Sequence, residues 1–181
     1  ATSLIIQAGV WKFIIDKDYG ALNTLLMKIG LISSPVNWTP TPQAYFAWEI
    51  FVGIFVTVPF VTFCVLSGLQ SIDNSYYEAA TVDGANYWQK LFKITLPLVK
   101  SSLTVSTVLN IIYVFNSFPI IWTITKGDPA SRTDTLVTYL YKLAFYKGKS
   151  GEAAAVSVIG FLILCLCASI YMVVSLRKEE E

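Results

Sequence analysis

Three stretches of this chain, residues 50–72, 101–125 and 153–176, contain no Asp, Glu, Lys or Arg. Each is long enough for the roughly 20 apolar residues with which a helix crosses a bilayer, and a water-soluble core requires no such unbroken blocks. The remaining composition agrees. Of 181 residues 55% are hydrophobic and 14% charged, where a soluble domain carries roughly a quarter charged residues. The expected fold class is all-α, a polytopic transmembrane helical bundle.

Several functions are excluded early. A net charge of +1 gives no electrostatic basis for binding nucleic acid. The absence of histidine removes imidazole general-base and metal-ligand chemistry. Cys64, Cys165 and Cys167 all fall inside predicted spans at spacings that match no metal site, so they read as free, buried thiols.

In chain order, residues 1–15 read as the end of a span. The apolar run at 4–15 is too short to cross alone, and Ala1-Thr2-Ser3-Leu4-Ile5 lacks the charged start of a signal peptide. The chain therefore reads as the C-terminal portion of a longer subunit. After a turn at 16–20, residues 21–29 place Leu22, Leu25, Leu26 and Ile29 on one helical face, which suits a helix lying along the membrane surface. Residues 33–42 are an interfacial loop. The first complete span covers 44–69, with Glu49 near its start, expected to reach headgroups or a water-filled entry, and Pro59 near its centre. A polar segment at 73–95 follows. Spans at 98–125, bent by Pro119, and at 153–176 complete the membrane part, separated by a polar-aromatic helix at 135–146. Residues 177–181 form a solvated tail.

The polar segment carries its own helix signals. Ser75 and Glu78 have the spacing of a capping box, and Asp73 is a second capping candidate. A helix is expected from about 75 to 83, then a turn at Gly84, then a second short helix at 87–93, with Leu96-Pro97 opening the next span.

No Asp, Glu, Lys or Arg stands at the centre of any complete span, which argues against the ion or proton relay of a secondary carrier or channel. What the spans do carry is amides, hydroxyls and rings. Asn110, Tyr113 and Ser117 fall at i, i+3, i+7, and such groups suit a neutral polyhydroxylated ligand, though an intramembrane Asn serves equally as glue between helices. The chain also shows no energy source of its own. The Walker-like Gly148-Lys149-Ser150 has Leu143 where a phosphate-binding loop needs glycine.

Residues 78–97 read EAATVDGANYWQKLFKITLP. Glu78-Ala79-Ala80, three residues, Gly84, nine residues, then Ile94, Leu96 and Pro97 match all seven fixed positions of a known pattern. The stretch resembles the EAA loop of the membrane subunits of binding-protein-dependent ABC importers. That resemblance implies a cytoplasmic coupling helix whose Glu78, Ala79, Ala80, Asp83 and Gly84 meet an ATPase subunit. One departure is Asn74, where relatives often have proline. It further implies a pair of ATPase subunits that carry the ATP and Mg, so that this chain is no enzyme and binds no cofactor. The other implied partners are a second, related but different permease subunit, an extracellular or periplasmic solute-binding protein, and membrane lipid. The implied location is the cell membrane of a prokaryote, with the EAA loop and C-terminus cytoplasmic. Orientation rests on the resemblance, because that topology puts five of the thirteen Lys and Arg inside and eight outside, against the positive-inside rule.

A second likeness concerns cargo. Residues 115–129 (FNSFPIIWTITKGDP), then Arg132-Thr133 and YLYKLAF at 139–145, resemble the sugar permeases of the maltose and glycerol-3-phosphate type. Asp128 stands in place of their second glycine and Ile124 in place of a leucine. Their pocket positions map onto Thr57, Phe60, Asn110, Tyr113 and Ser117, with Asn116 added to the pathway here. Thr57 stands where a glycine is found, Asn110 where a serine is found, and an amide position falls on Val114, so the same ligand does not carry over. The resemblance implies a sugar or oligosaccharide permease. A polyol, glycerol-3-phosphate or another solute is the alternative cargo.

Overall fold

The structure is a computed structural model that describes residues 3–177. Residues 178–181 of the expected solvated tail, and residues 1–2, lie outside the described residues. Every regular element among the described residues is helical: α1 (Leu4–Ile14), α2 (Ala21–Lys28), α3 (Pro42–Gln70), α4 (Asn74–Val82), α5 (Tyr87–Lys90), α6 (Leu96–Phe115), α7 (Phe118–Ile124), α8 (Leu136–Tyr141) and α9 (Ser150–Arg177). Two π-helical turns, Leu91–Thr95 and Lys142–Tyr146, follow α5 and α8. The described residues divide into two compact units, residues 3–56 with 114–163 and residues 57–113 with 164–177.

In the first unit α1 packs on α7, and small buried residues set the core. Ala8 and Val52 are fully buried, joined by Ile120 and Ile124, with Trp11, Tyr45 and Val56 packed around them. Trp11 meets Phe51 and Phe55 edge-on at 5.0 and 5.1 Å between ring centroids, a favoured aromatic geometry. The Lys12 ammonium donates to the Thr123 carbonyl at 3.1 Å, tying α1 to α7.

α2 forms where the apolar spacing predicts it, but the side chain it buries is polar. The Asn23 amide donates to the carbonyls of Lys17 and Val36 at 3.0 and 2.9 Å and accepts from the Val36 N–H and the Trp38 indole at 3.2 and 3.0 Å. These four bonds fill its whole capacity, so its burial costs little. Anchored by Asn23, the helix leaves Leu25 and Ile29 exposed, as a helix resting on a membrane surface requires.

Glu49 departs from expectation. It neither reaches headgroups nor lines an open entry, but is buried at 4% exposure, where its Oε1 lies 2.5 Å from the Thr125 hydroxyl oxygen. Thr125, the residue that ends α7, lies against it.

The second unit holds the rest of α3, all of α4 to α6, and the end of α9. A Cβ on Gly68 would come within 2.5 Å of the Ser102 Oγ, so glycine is what lets α3 and α6 approach this closely. The hydroxyls of Thr104 and Ser175 share a buried hydrogen bond of 2.5 Å between α6 and α9. The second short helix expected at 87–93 is not separate from the span after it. One continuous helix runs from Tyr87 to Phe115, and Pro97 is accommodated by the π-turn before it, where the Leu96 N–H reaches back to Leu91. The wider turn relieves the clash a proline ring makes with the carbonyl four residues earlier. At its other end the span expected at 98–125 breaks into α6 and α7. Pro119 has no N–H for the Phe115 carbonyl, so the chain turns at 116–117 and restarts with Pro119 in the first turn of α7, where a missing N–H is tolerated.

Among the described residues three helices, Pro42–Gln70, Tyr87–Phe115 and Ser150–Ser175, are long and apolar enough to cross a membrane. Most of their large side chains are exposed on the chain's own surface, among them Phe63, Phe161 and Leu166. Among the described residues α9 buries only a stripe, Ala153, Gly160 and Ser175. The cysteines are free as expected but not buried, because Cys165 and Cys167 lie off this stripe.

Candidate functional site

The helix α4 is built by its ends. Of the two candidate caps, Asp73 is the one used. Its carboxylate accepts from the Ser75 N–H at 2.8 Å, which moves the helix start to Asn74 and leaves Glu78 free of a capping role. This bond holds the Asp73 carboxyl below its ordinary value. The resulting contribution to the helix is complete above the pKa of an unfolded aspartate and is lost as pH falls through the lower, folded value. Asp73→Ala should therefore raise the amide exchange rates of residues 75–77 near neutral pH, and acidification should raise them in the unmodified chain, both readable by hydrogen–deuterium exchange.

The other end is a Schellman turn. The Gly84 N–H donates to the Thr81 carbonyl at 3.1 Å and the Ala85 N–H to the Ala80 carbonyl at 2.9 Å. Gly84 sits at φ +75°, a conformation that glycine alone adopts without strain. Asn86 then caps α5 in a reciprocal box with Gln89, at 2.8 and 2.9 Å.

Two contacts brace α4 against the root of the membrane helix. The Tyr77 and Thr95 hydroxyls lie 3.0 Å apart, and because Thr95 donates to the Lys90 carbonyl, Tyr77 supplies the proton. The Lys90 ammonium donates to the Thr81 hydroxyl at 2.7 Å, and Thr81 donates to the Tyr77 carbonyl at 2.6 Å. No local spacing links residues 18 positions apart, so the sequence carries no signal for the Tyr77–Thr95 brace.

The outer face of α4 is left open. Glu78, Ala79, Asp83 and Gly84 are exposed, Ala80 is half-buried, and Val82 is 89% exposed. Among the described residues no hydrogen bond or ion pair engages the Glu78 carboxyl. A braced helix that buries none of its own residues, with a bare valine and a free carboxylate, has the properties of a docking element.

The residues expected to line a pathway are distributed over both units. Thr57 and Phe60 on α3, and Asn110 and Tyr113 on α6, belong to the second unit; Asn116 and Ser117 belong to the first. The stripe expected through Asn110, Tyr113 and Ser117 does not extend to Ser117, because α6 ends at Phe115 and Ser117 caps α7 instead. The Asn110 amide donates to the Ser106 carbonyl on its own helix at 2.9 Å. A cleft of about 520 Å³ lies elsewhere in the first unit, between Lys12, Asp16, Asn37, Tyr45, Thr125 and Asp128, and none of the six expected pathway residues lines it. Among the described residues no group of three His, Cys, Asp or Glu gathers closely enough to hold a metal ion.

The family model described as "Binding-protein-dependent transport system inner membrane component" matches residues 4–179. The chain belongs to this family. A probable ABC transporter permease protein of Brucella suis biovar 1 is 48% identical over 181 residues, covering all of this chain and 63% of the relative. The trehalose/maltose transport system permease protein MalF of Thermococcus litoralis is 34% identical over 180 residues, covering 99% of this chain and 60% of the relative. A bacterial ABC transporter involved in the import of the acidic polysaccharide alginate contains a chain with the same fold. Its TM-score is 0.83 at 25% identity, over 97% of this chain and 61% of that one. This member of the inner-membrane component family thus spans about three-fifths of the length of the relatives it matches. It is a multi-pass membrane protein with the helical architecture of the ABC importer permeases.

Proposed function

We propose that this chain belongs to a permease subunit of an ATP-driven importer and forms part of one half of the translocation pathway for a sugar or oligosaccharide. The observation that carries the reading is α4, a capped, braced and outwardly bare helix at the root of a membrane-crossing one. ATP is hydrolysed, with Mg, on a separate pair of ATPase subunits that bind α4 from the cytoplasm. Glu78 pairs with a basic group there, Ala79 and Ala80 permit close approach, Asp83 ends the helix beside the contact, and Gly84 turns the chain away. Closure of the ATPase pair pushes α4, and the Tyr77–Thr95 and Lys90–Thr81 contacts pass the displacement into α6 as a rigid body. Pathway opening is completed by a second, related permease subunit, and a solute-binding protein delivers the cargo on the opposite face.

Support for the sugar cargo comes from the relatives. They include permeases named for trehalose/maltose and for diacetylchitobiose, and the similar alginate transporter was solved with an alginate pentasaccharide-bound periplasmic protein. Thr57, Phe60, Asn110, Tyr113, Asn116 and Ser117 are the candidate pathway residues. All are neutral, as a hydroxyl-rich ligand favours. Thermal-shift screening of the cognate binding protein against a panel of sugars, polyols and glycerol phosphate tests the cargo. A shift with a mono- or oligosaccharide supports the reading, and a shift with glycerol phosphate or a polyol alone would replace the cargo while leaving the machine intact.

A further inference from the structure

The Glu49 site contains more oxygen–oxygen contacts than its hydroxyls can serve. Thr125 Oγ1 lies 2.5 Å from Glu49 Oε1, 2.9 Å from Thr133 Oγ1 and 3.3 Å from the Ile121 carbonyl, while Thr133 Oγ1 lies 3.0 Å from the Asp128 carbonyl. The three shorter contacts form one chain, from Glu49 through Thr125 and Thr133 to Asp128. Thr125 and Thr133 bring one proton each. The Gly127 N–H, which also points at Thr125 Oγ1 at 3.0 Å, adds nothing to the links between oxygens. With a carboxylate at Glu49, two protons serve three contacts, and one pair of lone pairs faces another.

We infer that Glu49 is a carboxylic acid whose proton heads this chain, and that it is a positioning residue for the loop at 126–133. Glu49 Oε1 then donates to Thr125, Thr125 to Thr133, and Thr133 to the Asp128 carbonyl, and every contact holds one proton. Thr125 makes three bonds, accepting two and donating one, which is a hydroxyl's full capacity. The other carboxyl oxygen fits the same assignment. Glu49 Oε2 is buried with no hydrogen-bond partner, a position that a neutral carbonyl-type oxygen tolerates far better than half of an anion. Among the described residues no ion pair engages Glu49. The carboxyl that does act on Glu49, that of Asp134, has the same sign as a Glu49 anion would and is itself paired with Lys142 at 3.0 Å.

The loop needs such a hold. Lys126, Ala130 and Ser131 all sit at positive φ, between 54° and 58°, where non-glycine residues persist only when their surroundings fix them. The chain of bonds ends on the Asp128 carbonyl within this loop, and Thr133, which passes the bond on, is fully buried. The loop also forms the Asp128 wall of the first unit's cleft. A neutral Glu49 would therefore hold that wall in place whatever solute the transporter carries.

Infrared difference spectroscopy and loop labelling on the full-length subunit in its assembled complex test the assignment. Near neutral pH the unmodified protein should show a protonated carboxyl stretch that disappears in Glu49→Gln and shifts in Glu49→Asp. A single cysteine at Ala130 should label at the same rate, within about twofold, in Glu49→Gln as in the unmodified chain, because an amide N–H replaces the acid proton. Glu49→Ala should speed that labelling at least tenfold. Absence of the carboxyl band would overturn the proposal. So would Glu49→Gln loosening the loop as much as Glu49→Ala, or Glu49→Gln failing to assemble while Glu49→Asp assembles.

Discussion

Reversal of one exposed charge, Glu78→Lys, should leave the full-length subunit folded and inserted while cutting ATP-driven uptake at least roughly thirtyfold. The side chain is exposed and touches no described partner, so its exchange should shift stability by no more than about 0.5 kcal/mol. At a protein interface the arithmetic differs. Losing one member of a desolvated charge pair costs about 2–5 kcal/mol, and 2 kcal/mol is roughly a thirtyfold loss of affinity. Reversal adds repulsion to the loss. Co-purification of the ATPase chain and uptake into proteoliposomes should fall together, with thermal stability of the isolated subunit unchanged.

Gly127→Ala should have a large effect of the opposite kind, on stability. Gly127 is buried at φ +83°, and a Cβ there would stand 1.8 Å from Asp134 Oδ1 and 2.8 Å from the Lys142 ammonium. The methyl therefore has to displace the carboxylate from its ion pair, whose side chains are only 9% and 19% exposed. Breaking a buried pair costs on the order of 3 kcal/mol, and the left-handed backbone adds roughly 1 kcal/mol. Gly84→Ala isolates the second effect. Gly84 is also left-handed, at φ +75°, but a Cβ on it meets nothing within 4 Å. Thermal unfolding of the two variants in detergent should therefore rank Gly127→Ala well below Gly84→Ala, by several degrees.

Hydropathy exposed the membrane helices because lipid imposes it on every residue of a span at once. The π-turn at Leu91–Thr95 and the break at 116–117 were partly legible too, since Pro97 and Pro119 mark both places. What proline could not tell was on which side each helix would give way. Upstream of Pro97 the chain widened and continued, and upstream of Pro119 it stopped. The consequence for the expected site is direct, because a helical stripe through Ser117 exists only if α6 continues past Phe115.

Residues whose roles depend on a distant partner were the ones the pattern missed. Asn23 stood in an apolar run, where helical spacing favours its leucine neighbours, yet its four bonds reach the 17–38 segment. Glu49 looked like a residue for the membrane edge because a lone acid near the start of a span normally seeks water. Thr125, 76 positions on, is what covers it. The EAA spacing was recognisable because its residues act locally, at a helix surface and at its closing turn. The braces that would make that helix useful, Tyr77–Thr95 and Lys90–Thr81, join residues with no periodic relation.

Photo-crosslinking from position 79 in intact membranes tests most directly whether energy enters through α4. With a photoreactive amino acid at Ala79 of the full-length subunit, the account predicts an adduct to the ATPase chain. The same probe at Lys126, in the loop that a cytoplasmic EAA loop and one intervening span would put outside the cytoplasm, should yield none. Capture of the ATPase from position 126 and not from 79 would contradict both the docking role of α4 and the orientation built on it.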